Sequence, residues 1–218
     1  MYFKYTSSLA PCLAQNGGQR QGMGSIRGSL VTEKTRCTWA GEQPLMRAYH
    51  DREWGRPQHD DRVLFEFLIL EGAQAGLSWS TILNKRENYR KAFHQFDANK
   101  IARYGDKDRE RLLADAGIVR NRLKIDSTIG NAKAYQELCK TEGSLDAYLW
   151  NWVGGKPILN RCKGQGDVPA RTELSDRISK DLGKRGFKFV GSTIIYAYLQ
   201  AVGVVNDHLV SCFCYPKK

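Results

Sequence analysis

The sequence predicts an all-α fold. Six separate stretches after residue 36 carry apolar residues at three- and four-residue spacing, which is the period of an amphipathic helix. No stretch shows the alternation of apolar and polar residues that is typical of a half-buried strand. The connections are short and no internal repeat is detectable. With 218 residues, the chain can bury a sizeable apolar interior as one medium domain, or as two small domains that share a core.

The first 34 residues differ from the rest of the chain. Residues 15–28 are rich in Gly, Gln, Ser and Arg and have neither helical nor strand periodicity. Such a segment cannot bury enough apolar surface to offset its ordering entropy. Residues 1–34 are therefore predicted to be a disordered tail, and residues 35–218 the folded domain.

Six helices are predicted in the folded domain, with Ser78, Asp106 and Ser175 at positions that suit helix N-caps. The helical patterns cover residues 63–75, 78–93, 107–116, 120–139, 175–184 and 192–202. Residues 154–172 contain prolines and glycines and are predicted to form a long loop. The uncharged stretch 189–205 contains Gly, Ser, Thr and Gln, so we expect a buried core helix and not a membrane span.

An unusual carboxylate lies in the first predicted helix. The stretch LILEGAQAGLSW places Glu71 inside an apolar run that ends at Trp79. A buried ionised carboxylate is costly unless a partner stabilises it. Two explanations fit these residues. Glu71 pairs with an arginine or caps a neighbouring helix, or it faces a pocket beside an aromatic ring, where it would accept hydrogen bonds from a flat, polar ligand.

The chain is strongly basic. It has 34 Lys and Arg against 23 Asp and Glu, a net charge of +11, and a pI near 9.4. This excess favours a polyanionic partner, above all nucleic acid, although an acidic membrane surface would also fit. The six cysteines are too sparse for a disulfide-stapled secreted module. We therefore expect a reducing, cytoplasmic setting in which thiols are available for a metal.

Cysteine and histidine residues lie near both ends of the predicted domain. His208 and Cys212 are four residues apart, so a helical turn would point both side chains to one side, as half of a tetrahedral zinc site requires. Cys37 and His50 would have to complete the site, and they are far away in sequence. Buried core cysteines with a structural histidine are the alternative, and Cys214 could compete with Cys212 as a ligand.

Aromatic residues crowd the same N-terminal region, together with the tryptophan that follows the buried carboxylate. Two or three of them could simply belong to the core, because large aromatic side chains dominate cores. Two of them lie close to the candidate metal ligands in sequence, so a bound metal would also hold their rings in place. The four residues are Trp39, Tyr49, Trp54 and Trp79.

Seven segments, in order, resemble the bacterial 3-methyladenine DNA glycosylase I family of the helix-hairpin-helix DNA glycosylase superfamily. The resemblance runs from about residue 35 to about residue 216, essentially the whole predicted domain. It implies a helix-hairpin-helix glycosylase-like helical fold with a zinc site that joins the N- and C-terminal regions. The segments are RCTW (36–39), AYHDREWG (48–55), LEGAQAGLSW (70–79), KRENY (85–89), DAGIVR (115–120), KRGFKFVG (184–191) and VNDH (205–208).

The resemblance also implies an activity and a cofactor. A family member flips 3-methyladenine out of alkylated double-stranded DNA and hydrolyses its N-glycosidic bond, which releases the free base for base excision repair. One zinc ion ties the chain ends of such an enzyme together. Four protein ligands close its coordination shell, so its role is structural. The corresponding ligands here are Cys37, His50, His208 and Cys212.

The pocket residues follow from the same resemblance. Glu71 is the predicted catalytic residue, chiefly for recognition, and Tyr49 joins it in hydrogen bonding to the edge of the base. A carboxylate between aromatic faces favours a cationic purine over neutral adenine. The predicted stacking faces are Trp79 and Trp39, with Trp54 lining the same region.

Two positions depart from the patterns of the relatives. Met46 stands where close relatives have a tyrosine, which alters one wall of the pocket, although methionine can pack against a ring edge. In the wider superfamily an aspartate assists the attack of water on an oxocarbenium-like sugar. When the sequence is aligned on His208, Asn206 falls at the position of this aspartate, and Asp207 is one residue away. No catalytic aspartate is therefore predicted.

A basic segment at residues 184–191 resembles the DNA-binding hairpin of the superfamily, in which backbone N–H groups meet a phosphate. A solvated basic face is the alternative interpretation. The predicted DNA contacts are Lys184, Arg185, Gly186, Lys188 and Gly191. The same surface is extended by Arg120, Arg122 and Lys124.

Two other classes of protein fit part of the sequence. A non-catalytic, zinc-containing DNA-binding module would bind DNA without releasing a base, and the aromatic residues around Glu71 would then have no purpose. An enzyme acting on a free nucleobase or nucleoside would use the pocket but leaves the net charge of +11 unexplained. A monomer is expected, since nothing in the sequence indicates a symmetric interface.

Overall fold

The computed structural model describes residues 34–217, so the predicted tail lies outside the described residues except for Lys34. Within this range the chain forms α-helices, three short 3-10 turns and one pair of two-residue strands. The helices are α1 (Pro44–Arg52), α2 (Asp61–Gln74), α3 (Trp79–Ala92), α4 (Ala98–Ile101), α5 (Asp106–Ala114), α6 (Arg122–Glu142), α7 (Leu145–Asn151), α8 (Glu173–Lys184) and α9 (Ser192–Ala201). The 3-10 turns are Thr38–Ala40, His94–Phe96 and Gln165–Asp167, and the parallel strands are β1 (Ile158–Leu159) and β2 (Val205–Asn206).

The predicted all-α class is confirmed. The six predicted helices correspond to α2, α3, α5, α6, α8 and α9, with each end shifted by at most three residues. Helices α4 and α7 were not predicted, because they have only four and seven residues and show too little of the helical period. Helix α1 was also not predicted, although it is as long as α5. Strand β1 lies within the predicted loop, and a two-residue strand is too short to show alternation.

One of the three predicted N-caps is confirmed. The hydroxyl of Ser78 accepts a hydrogen bond from the first turn of α3. The N-cap of α5 is Gly105, and Asp106 is instead the first helical residue, where a carboxylate suits the positive end of the helix dipole. The N-cap of α8 is Thr172. Ser175 is the third helical residue and bonds back to the Thr172 N–H (2.9 Å), which completes a capping box.

Helix α2 is the centre of the core. Ten consecutive residues, 64–73, are buried, so the helix is enclosed on all its faces. It packs against α3, α6, α7 and α9. Two of the ten are glutamates. Glu66 is paired with Arg86 (2.6 Å) and Arg90 (2.7 Å), which offsets the cost of burying it. Glu71 has a different environment, described below.

The segment after α9 runs back along the beginning of the fold. β2 pairs with β1, and the N–H of Phe213 donates to the carbonyl of Thr35 (2.9 Å). Gly203, at φ 71°, lies against the main chain of Arg56 so closely that a Cβ would be 2.2 Å from its carbonyl carbon. Residues 206–212 are thereby brought beside residues 35–55. In the described range no helix combines the length and hydropathy needed to cross a membrane.

Candidate active site and metal centre

A pocket of about 280 Å³ opens at the end of α2, between α1, α9 and the loop after β1. All five residues predicted to form the base-binding site contribute to its wall. Met46 also lines it, at the position where a tyrosine was expected from the relatives. The remaining lining residues, which sequence reasoning did not select, are Gln74, Gln165, Val168, Ala197, Gln200 and Asp207.

Aromatic rings hold one another in place around this pocket. Tyr49 on α1 is buried, and its ring centroid lies 5.3 Å from that of Trp79 at the start of α3, at an angle of 47°. Trp39 and Trp54 meet edge to face at 4.8 Å. Tilted and edge-to-face arrangements are favourable for aromatic pairs, so the four rings form a preorganised wall.

Glu71 is the carboxyl group at the inner end of the pocket. Its side chain is buried, and within residues 34–217 it has no hydrogen-bond or ion-pair partner. Burial raises the pKa of this carboxyl group to about 8. Of the two explanations offered for Glu71, the structure therefore favours the one in which it faces a ligand. The arginine pairing that was the alternative belongs to Glu66 instead.

A second carboxyl group, Asp207, also lines the pocket. It is buried and accepts hydrogen bonds from Tyr196 Oη (2.6 Å), Gln200 Nε2 (2.7 Å) and Asn160 Nδ2 (2.6 Å). The sequence register had put Asn206 at the position of a superfamily aspartate. The Asn206 amide instead donates to a backbone carbonyl (3.2 Å), away from the pocket. Asp207, the residue that follows β2, is thus the carboxyl group that lines the pocket beside Glu71.

Four buried side chains from the two ends of the fold converge beside the pocket. Their ligand atoms all lie within 4.8 Å of one another. The sulfur of Cys212 is 3.4 Å from His50 Nε2 and 3.6 Å from His208 Nδ1, and Cys37 Sγ is 3.6 Å from the same His208 atom. Ligands of one tetrahedral zinc ion, bound at about 2.0–2.3 Å, are roughly 3.3–3.8 Å apart. The four residues therefore fit a single four-coordinate metal ion.

Hydrogen bonds to the outer ring nitrogens support this metal-binding geometry. His50 Nδ1 pairs with Asp51 Oδ1 (2.8 Å) and His208 Nε2 donates to the carbonyl of Trp54 (3.0 Å), so His50 Nε2 and His208 Nδ1 face the two cysteine sulfurs. His50 Nε2 also accepts from the N–H of Cys37 (3.3 Å). Burial lowers the pKa of both imidazoles, and the neutral ring is the metal-binding form. Burial raises the pKa of the Cys37 thiol to about 12, so a bound cation is required to hold its thiolate.

The four-residue cluster and the pocket share a wall. The Trp39 ring meets the edge of His50 with centroids 5.2 Å apart, and Trp54 meets His208 at 4.7 Å. Two residues of the cluster that could hold a metal ion therefore also contact two of the pocket tryptophans. Cys214 lies outside the four-residue cluster, where its N–H donates to Cys212 Sγ (3.4 Å).

The predicted hairpin joins α8 to α9. Gly186, at φ 91°, adopts a turn conformation that favours glycine, and Gly191 precedes the first residue of α9. The buried side chain of Asn131 on α6 holds the hairpin, because it accepts from the N–H of Lys188 (2.8 Å) and donates to its carbonyl (3.0 Å). Lys184 and Lys188 are exposed, and within the described chain they form no ion pair.

The other predicted DNA-contacting cations have different environments. Arg185 is paired with Asp181 (2.7 Å) and Glu142 (2.6 Å), so part of its charge is already compensated inside the protein. Arg120 and Arg122 are exposed and have no ion-pair partner among residues 34–217. Among the predicted DNA contacts in the described residues, the uncompensated positive charge therefore lies at the hairpin lysines and at Arg120 and Arg122.

Lys124 has a structural position that its sequence did not indicate. Its ammonium group donates to the carbonyls of Ala73 (2.8 Å) and Ala75 (2.7 Å), which are left open at the end of α2. Burial lowers the pKa of this lysine. Lys124 thus ties α6 to the turn between Glu71 and Trp79, where Leu77 is 41% exposed.

A mostly helical domain with an aromatic pocket around a buried carboxyl group, and with a basic turn between α8 and α9, agrees with a DNA glycosylase, and the comparisons with known proteins show that class. The sequence matches the model of the methyladenine glycosylase family over residues 39–215, and the chain belongs to that family. It is 51% identical over 181 residues to DNA-3-methyladenine glycosylase 1 of Escherichia coli (strain K12), covering 83% of this chain and 97% of the relative.

Another relative and two solved structures carry the same enzyme name. DNA-3-methyladenine glycosylase of Haemophilus influenzae is 47% identical over 180 residues, with 83% of this chain and 97% of the relative covered. A crystal structure of 3-methyladenine DNA glycosylase I has a TM-score of 0.82 and 49% identity, covering 84% of this chain and 100% of that chain. The Staphylococcus aureus enzyme, described for its recognition of 3-methyladenine, also has a TM-score of 0.82, at 36% identity, covering 84% and 97%.

Proposed function

We propose that the protein is a DNA-3-methyladenine glycosylase, which flips the methylated base out of double-stranded DNA and hydrolyses its N-glycosidic bond. The observation that carries this proposal is the buried, unpaired carboxyl group of Glu71 among aromatic rings. The relatives whose names contain this activity are about half identical over most of the chain. The product is the free base, and the DNA is left for base excision repair.

Selectivity follows from charge. Adenine methylated at N3 is positively charged while it is attached to the sugar, whereas ordinary adenine is neutral. A cationic base entering the pocket favours the ionised form of Glu71, and the attraction is strong because water is largely excluded. The aromatic faces of Trp39 and Trp79 add cation–π attraction. We propose that Glu71 is the catalytic residue in this sense: it binds the charged base and rejects the neutral one.

Tyr49 is the second group proposed to contact the edge of the base. Burial, together with the negative charge of Glu71, raises the pKa of the Tyr49 phenol well above its usual value. The phenol therefore stays neutral and keeps its proton for donation to a ring nitrogen or exocyclic group. Donors and acceptors at fixed positions reject bases that leave them unpaired.

Bond cleavage needs little acid catalysis. The methylated base is already a good leaving group because its departure neutralises its positive charge. The sugar passes through an oxocarbenium-like state that water attacks. Flipping the base costs a few kcal/mol, and less for a damaged base that pairs badly. The net charge of +11 and the exposed Lys184 and Lys188 favour binding of the DNA backbone, which offsets that cost.

We also propose that Cys37, His50, His208 and Cys212 hold one zinc ion. The donor set of two sulfurs and two nitrogens, with spacings of 3.4–3.6 Å, supports a closed tetrahedral shell. When bound, the ion would cross-link the N- and C-terminal regions of the domain. Its closed shell would leave no coordination position for a catalytic water. These four residues then hold Trp39 and Trp54 against the pocket.

The test is chromatographic detection of free bases released from methylated duplex DNA. The wild type should release 3-methyladenine, and Glu71→Gln should reduce the rate at least about 100-fold. Glu137→Gln, which changes an exposed carboxylate on α6, is the matched control and should keep full activity. A wild type that binds DNA but releases nothing would instead identify a binding module.

A further inference from the structure

We propose that the first turn of α6 is a second DNA-binding surface, on which the exposed Leu123 and the neighbouring Arg120 and Arg122 contact the duplex beside the flipped base. This inference rests on the proposed function and extends it from the pocket to the flanking DNA. We call these three residues the α6 surface. Its partner is double-stranded DNA, argued from exposure, charge and position.

Leu123 is unusually exposed. Its relative exposure is 71%, whereas the other exposed large apolar side chains of the described chain lie between 39% and 45%. It borders a mostly apolar hollow of about 580 Å³, which Gly130, Gly186 and Phe189 also line. A single exposed leucine is ordinary, but a leucine beside an apolar hollow is typical of an interaction site.

The charge around the hollow identifies the partner. Arg120 and Arg122 have no ion-pair partner among the described residues, and the exposed Lys188 lines the hollow. One carboxylate, Asp126, also lines it, but its charge is compensated by Arg109 (2.8 Å). The surface therefore combines uncompensated positive charge with apolar area. Phosphates match the arginines, and the apolar sugar edges of a groove match the leucine.

Contacts of α6 link the α6 surface to the proposed active site and to the hairpin. Lys124, next to Leu123, holds the turn that follows the helix of Glu71, and Asn131 on the same helix holds the hairpin at Lys188. One rigid helix thus connects the pocket mouth to the hairpin. Leu123 lines one hollow together with Gly186 and Lys188 of the hairpin, so a duplex that lies on the hairpin also meets the first turn of α6.

The experiment measures the affinity for a duplex that contains a tetrahydrofuran abasic site, by fluorescence anisotropy at several salt concentrations. Arg122→Ala should reduce the slope of log affinity against log salt by about 0.9, as expected for the loss of one phosphate contact. Leu123→Ala should weaken binding about 5-fold without changing the slope, and Leu123→Met should restore it. Lys140→Ala removes a positive charge from the opposite end of α6 and should change neither quantity.

Base release is measured on the same samples, so that the two proposals can fail separately. At saturating DNA the Leu123 variant should keep the wild-type kcat, because the pocket is untouched, and only KM should rise. The proposal of the α6 surface would be wrong if Arg122→Ala and Leu123→Ala both kept the wild-type affinity and salt slope. Normal base release in the same samples would leave the proposed function intact. A Leu123 effect without any arginine effect would indicate an apolar protein partner and would also overturn it. A wild type that releases no base would overturn the proposed function, while the binding data would still decide on the surface.

Discussion

Replacing Glu71 with glutamine should make the protein more stable at high pH. Burial raises the pKa of the Glu71 carboxyl group from an ordinary value of 4.5 to about 8. Between these values the folded protein holds a proton that the unfolded chain has released. The free energy of unfolding therefore falls as pH rises, by about 1.4 kcal/mol per pH unit. Above pH 8 the total loss is about 5 kcal/mol.

Glutamine keeps the shape of the side chain but does not titrate. Glu71→Gln should therefore unfold with nearly the wild-type free energy near pH 4.5 and be more stable than the wild type by up to about 5 kcal/mol at pH 9. The same substitution removes the charge that we propose to bind the cationic base. The substitution should thus increase stability and decrease activity. This trade-off is typical of a functional residue whose burial destabilises the folded protein.

The assay is urea denaturation followed by tryptophan fluorescence from pH 5 to pH 9. The informative quantity is the difference in free energy between the variant and the wild type, because the titration of all other groups cancels in it. Glu137→Gln makes the same chemical change at an exposed site outside the pocket and serves as the control. A flat difference for Glu71→Gln would refute the reasoning, since it would mean that the Glu71 carboxyl group has a stabilising partner.

Four further outcomes are expected. Because Glu71 must be ionised to bind a cation, kcat/KM for methylated duplex DNA should rise with pH up to about 8 and should be flat in the glutamine variant; a falling profile would contradict this. Cys212→Ser should abolish stoichiometric zinc, measured by atomic absorption, and cost about 3 kcal/mol, or roughly 6–12 °C in Tm. Arg86→Ala leaves a buried carboxylate with one partner fewer and should also cost about 3 kcal/mol in calorimetry; a Tm within 2 °C of the wild type would count against that ion-pair network. Gly203→Ala places a Cβ 2.2 Å from the facing main chain at φ 71°, so a loss of more than about 3 kcal/mol should appear in denaturation, while Gly164→Ala should be nearly neutral.

The helical core was predictable because its pattern is local. Apolar residues three and four positions apart reveal a helix wherever one face meets the core, and this condition holds for α3 and α8. The caps were harder to predict, because several polar residues near a helix start can satisfy the same N–H groups. Thr172 and Ser175 both do so at α8, in reciprocal roles.

The site depended on contacts that no local pattern contains. The spacing of His208 and Cys212 indicated half of a metal centre, but only the family resemblance joined it to the first half. The partners of Lys124 and one partner of Arg185, Glu142, lie more than 40 residues away in sequence, so an exposed basic face was a natural but incomplete interpretation. Asp207 was missed because nothing local distinguishes it from its neighbour as the pocket-facing residue.

The convergence of Cys37 and His50 with His208 and Cys212 has a consequence for synthesis. A ribosome makes the chain from its N-terminus, so 157 residues separate His50 from the next member of the cluster. Until that point, the ring of Trp54 lacks its edge-to-face contact with His208. Helices rich in local contacts can form early, whereas closure across this distance is slow. The nascent chain therefore acquires its helices before its pocket, and a product truncated before residue 208 should be helical but unable to bind a base.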